Sequence, residues 1–75
     1  LNLNVKIKNS ESSKIKNFEK DLNEKDLIYD FFVTKIDKDF TYYQIIFNGT
    51  PDIFIKTMNE SNYKFNTQNK VWLLK

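Results

Sequence analysis

Few side chains in this chain can do chemistry, and their spacing limits what they can do. Two carboxylate pairs stand close in sequence, Asp37 with Asp39 and Glu24 with Asp26. Such pairs run acid–base chemistry when their surroundings push the two pKa values apart. Both lie in polar stretches beside lysine, which predicts ordinary exposed charges rather than a tuned dyad. The turn Asn48-Gly49-Thr50-Pro51-Asp52 can present a helix N-terminus to an anion. Asp52 already sets a carboxylate at the positive end of that helix, so the turn reads as a cap. The chain has no His, no Cys and no Arg. Those absences exclude thiol nucleophiles, serine–histidine triads and the usual transition-metal sites. They also remove the guanidinium fork that grips carboxylate and phosphate with two bonds at once. The expectation is a non-enzyme with no catalytic, cofactor-binding or metal-binding residue and no small-molecule substrate.

Aromatic residues are the remaining candidates, and there are twelve: seven Phe, four Tyr and one Trp. Exposed aromatics on a central strand can stack nucleobases, as in RNA-recognition sheets. The strand pattern those sheets use calls for a basic residue, two glycines or small residues and spaced aromatics. Asp39-Phe40-Thr41-Tyr42-Tyr43-Gln44 has neither glycine and carries an acid where the base belongs. A net charge of +2 is also too small to predict a nucleic-acid or membrane partner by itself. RNA or single-stranded nucleic-acid binding is therefore the alternative reading, and packing against protein the favoured one.

The elements that must position these groups follow from hydrophobic spacing. Leu1, Leu3, Val5 and Ile7 alternate with Asn2, Asn4, Lys6 and Lys8, a strand with one dry and one wet face. Asn9 and Ser10 end it and are placed to cap a helix in which Ile15, Phe18 and Leu22 share a face among mixed charges. Leu27 to Ile36 and Phe40 to Phe47 are aromatic and β-branched, separated by Asp37-Lys38-Asp39, and read as a hairpin. In its first arm simple alternation puts Tyr29, Phe31 and Val33 on one side and Ile28, Phe32 and Ile36 on the other. Both faces are partly apolar, which predicts central strands covered on both sides. Gly49 permits a positive φ, Thr50 caps, and Pro51 starts a helix where its missing N–H costs nothing. Phe54 and Met58 then fall on one face, and Asn59 to Asn62 ends that helix. Tyr63 to Phe65 and Val71 to Leu74 read as short strands joined by a polar turn. Trp72 and Leu74 are expected on one face, with Trp72 largely buried.

The order is strand, helix, strand, strand, helix, strand, the last element split into a hairpin. This predicts an α+β, ferredoxin-like β-α-β-β-α-β domain: an antiparallel four-stranded sheet with two helices on one face. Seventy-five residues allow one domain over 1–75 and a thin core, since a chain this short hides only about 60% of its unfolded surface. No apolar run reaches the roughly 20 residues that cross a bilayer as a helix. The chain begins at Leu1 rather than Met, which is read as a domain excised from a longer protein.

From Tyr43 onward the chain resembles a known family. Ile45-Ile46-Phe47-Asn48-Gly49-Thr50-Pro51-Asp52, then Phe54 and Met58, Tyr63-x-Phe65 and the closing Trp72-x-Leu74 are similar to the end of a bacterial envelope family termed domain of unknown function two-zero-six-six. That family shows an aromatic, any residue, Gly and Ser, then Pro or an acid, two Leu four apart, a short apolar strand and a terminal Trp-x-Leu. Here Phe47 stands for the usual Tyr, Thr50 for Ser, and Phe54 and Met58 for the two Leu. The resemblance implies a periplasmic or secreted protein and carries no catalytic residue to transfer. Small α+β modules in the periplasmic rings of secretins are similar in length and element mix, which implies an assembly role.

Together these readings predict a non-catalytic interaction or structural domain of a larger envelope protein. Two helices cover only one face of a four-stranded sheet, so part of the apolar hairpin must find other cover. The expected contact face is Ile28, Phe31, Phe32 and Tyr42. Its partner is a protein, the remainder of the parent chain or a second copy in a homodimer.

Overall fold

The computed structural model describes residues 1–75. Seven elements follow in order: β1 (Asn2–Lys8), α1 (Ser12–Glu24), β2 (Ile28–Ile36), β3 (Phe40–Phe47), α2 (Pro51–Asn59), β4 (Phe65–Asn66) and β5 (Val71–Leu74). The α+β class and the element order are as the spacing predicts. The sheet is not the expected four antiparallel strands. It has five, in the order β2-β3-β1-β5-β4. β1 pairs antiparallel with β3, as Leu3 opposite Ile45 and Val5 opposite Tyr43, but parallel with β5, as Val5 beside Trp72. The second arm of the closing hairpin takes the place beside β1, and its first arm is pushed to the edge. The sequences of the two arms account for this. Val71-Trp72-Leu73-Leu74 is apolar throughout and gains from an interior position on both sides, whereas β4 is two residues long and includes Asn66.

One sheet face is the core. Leu3, Val5 and Ile7 of β1 and Tyr43, Ile45 and Phe47 of β3 are buried. They join Phe18 and Leu22 of α1, Phe54 and Met58 of α2, Tyr63 and Leu74 in a single cluster. Both helices feed that one cluster, so both lie on the same side of the sheet. Trp72 and Leu74 share this side too, but Trp72 is half-buried, not enclosed. Burial of these apolar side chains drives the fold at roughly 25 cal/mol per Å².

The helix ends differ in how they are held. Thr50 caps α2, its Oγ1 accepting from Ile53 N at 3.3 Å, with Pro51 in the first turn. Gly49 does not adopt a positive φ. Glycine is needed for space: a Cβ there would meet the Phe47 ring at 2.7 Å. Asn62, at φ 68°, turns the chain out of α2 while Tyr63 N donates to Met58 O at 3.0 Å. Asn9 and Ser10 do not cap α1, whose N-cap is Glu11 without a side-chain bond. Asn9 instead donates to Asp37 O at 2.8 Å and accepts from Thr41 Oγ1 at 2.6 Å, tying the end of β1 to the β2–β3 turn. That use satisfies the hydroxyl of Thr41, the one buried polar residue.

Candidate interaction surface

β2 is not a central strand. It lies at the edge of the sheet, paired with β3 alone. The pairing slips twice, once between Ile28 and Asp30 and once between Val33 and Lys35, so Tyr29 and Thr34 are extra residues of two β-bulges. Residues opposite one another in a sheet share a face. Ile28 opposite Phe47, Phe31 opposite Ile45, Val33 opposite Tyr43 and Ile36 opposite Thr41 therefore point to the helix side. Asp30 opposite Ile46, Phe32 opposite Gln44 and Lys35 opposite Tyr42 point to the open side. The simple alternation expected for this strand is overturned because each bulge inverts its phase.

The four residues predicted as one contact face are thus split across the sheet. Ile28 and Phe31 are half-buried on the helix side, packed against the core. Phe32 is exposed on the open side, where Tyr42 is half-buried. The structure adds Tyr29, Val33 and Ile36, which the predicted contact face left out. Tyr29 is 82% exposed, Ile36 68%, and Phe32 and Val33 44% each. Leu27 and Leu1 are exposed beside them, and a groove of about 280 Å³ runs past Leu1, Leu27, Tyr29 and Ile46. Of the large exposed apolar side chains only Ile53 lies away from this edge. The charged pair Asp30 and Lys35 inside an otherwise apolar strand is the signal that marks an edge in sequence.

One of the carboxylates paired in sequence, Asp37, is occupied within the chain. Asp37 accepts from Phe40 N at 2.7 Å, Asp39 N at 2.9 Å and Tyr42 Oη at 3.0 Å. The Phe40 and Asp39 amides, then Tyr42 and Lys35, hold its carboxyl below the ordinary carboxylate range. In the same contact Asp37 holds the Tyr42 phenol above its usual value. On the open face Lys6 Nζ stands 4.5 Å from the Phe40 ring centroid and Lys35 Nζ 5.1 Å from that of Tyr42. A base stacking on either ring would have to displace a lysine already seated there. No protein-family model, curated protein or solved structure matches the chain.

Proposed function

We propose that this chain is a non-catalytic protein-interaction domain of a larger bacterial envelope protein and that it docks through the β2 edge. One observation carries the reading: the exposed large apolar side chains gather on and beside a single strand, on both of its sides, rather than scattering over the surface. An edge with free backbone groups and flanking apolar side chains suits strand addition or lateral packing by another protein. The resemblance of the chain from Tyr43 onward to an envelope family supports the periplasmic or secreted setting.

Photo-crosslinking tests the docking reading. A photoreactive residue at Tyr29 or Ile36, in cells making the parent protein, is expected to give a discrete protein adduct, and one at Lys16 on α1 is expected to give none. The same adduct from all three positions, or adducts to nucleic acid, would overturn it.

A further inference from the structure

We propose that the β2 edge takes a second copy of this chain, paired strand to strand and antiparallel about a two-fold axis that passes between Phe32 and its copy. This rests on the reading of β2 as a docking edge and names its occupant. With the two bulge residues set aside, the paired row is Ile28, Asp30, Phe31, Phe32, Val33, Lys35, Ile36, alternating between helix side and open side. The row is self-complementary when reversed. Ile28 meets Ile36 and Phe31 meets Val33 on the helix side; Asp30 meets Lys35 and Phe32 meets its own copy on the open side. Apolar residues face apolar ones, opposite charges face each other, and the two-fold axis makes every contact twice except the central Phe32 pair.

Two further features fit this register. The one ion pair of the chain joins Glu11 and Lys14, so neither Asp30 nor Lys35 is held in a salt bridge, and Lys35 rests on the Tyr42 ring of the open face. The exposed Phe31 N–H is held by the neighbouring Asp30 Oδ1 at 2.8 Å. When Asp30 turns to Lys35 of the second copy, that N–H becomes free for the facing Val33 carbonyl. The association is also self-limiting. The opposite edge of the sheet is β4, only two residues long, so pairing through β2 closes at two copies and leaves no long edge for a third.

Sedimentation equilibrium at rising concentration tests this on wild type, Asp30→Lys, Lys35→Asp, the double exchange Asp30→Lys/Lys35→Asp, and Phe32→Lys. Circular dichroism confirms that each exposed-site variant is folded. The expected result is a wild-type dimer, about tenfold or more weaker dissociation constants for the single charge reversals and for Phe32→Lys, and recovery in the double exchange. A dimer indifferent to these changes, or a double exchange as weak as the singles, overturns the register. A wild type that stays monomeric overturns the second copy as occupant; adducts from Tyr29 and Ile36 would then still uphold β2 as the docking edge, and their absence would remove both.

Discussion

The Tyr43 hydroxyl on β3 donates to the Glu19 carboxylate on α1. Tyr63 Oη donates in the same way to Asp21 Oδ2 at 2.6 Å. Between these two bonds lies Phe18, whose ring meets Tyr43, Tyr63 and Phe65 edge-on at centroid distances of 5.9, 5.4 and 6.3 Å. α1 is thus fixed by an apolar centre with a tyrosine–carboxylate bond at each flank.

Burial first, and the adjacent carboxylate second, push both phenols well above their ordinary value of 10.0. The folded chain therefore holds these protons more tightly than the unfolded one. Stability is fully present below the unfolded tyrosine pKa and is lost as pH rises above it. Denaturant melts followed from pH 8 upward are expected to weaken from about pH 10. In Tyr43→Phe/Tyr63→Phe that alkaline loss should shrink, which the same melts would show.

Asp37 gives the opposite slope. Its carboxyl is depressed in the folded turn, so its contribution is present above the unfolded value of 3.8 and disappears as pH falls through the lower folded value. Asp37→Asn keeps an oxygen acceptor for the two amides but no titration. Its melts are expected to depend less on pH between 4 and 2 than those of wild type.

The start of α2 separates capping from space. Thr50→Ala removes the acceptor for Ile53 N and is expected to cost about 1 kcal/mol. Gly49→Ala drives a methyl into the ring of Phe47, which is buried and stacked edge-on against Phe54 at 5.2 Å. That ring has nowhere to retreat, and a loss of about 1–3 kcal/mol is expected from urea titration.

Aromatic truncations should follow burial rather than size. Phe54 is fully buried between Phe47, Phe65 and Trp72, and Phe54→Ala is expected to cost about 3–5 kcal/mol. Trp72, only half-buried, is expected to cost less than Phe54 when cut to Ala. Its emission should lie between the buried and fully solvated limits; emission at the solvated limit in the folded chain would contradict its place in the core.

What could be read from the sequence depended on whether an element has one wet side. Asn and Lys between Leu3, Val5 and Ile7 set the phase of β1, and charges around Phe18 and Leu22 set that of α1, because a wrong phase would bury them. β2 offers only Asp30 and Lys35, and simple alternation would put these two charges on opposite faces. Ile28, Phe31 and Phe32 are apolar whichever way they point, so two bulges escape notice and the predicted contact face falls on both sides of the sheet. The place of β5 was hidden for a different reason. Either arm of the closing hairpin can satisfy local turn chemistry, and the choice is made by what each buries against β1.

β1 is the spine of the sheet, yet neither of its neighbours is near it in sequence: Val5 lies between Tyr43 and Trp72. A ribosome makes β1 before the other strands of this sheet and β5 after all of them. Until Trp72 is available one side of β1 has no permanent mate, and the loop that must close runs from Val5 to Trp72. Loop-closure entropy and long-range pairing both slow such a step. The nascent molecule therefore carries a provisional edge at what becomes the middle of its sheet, the stretch most open to mispairing before synthesis is complete.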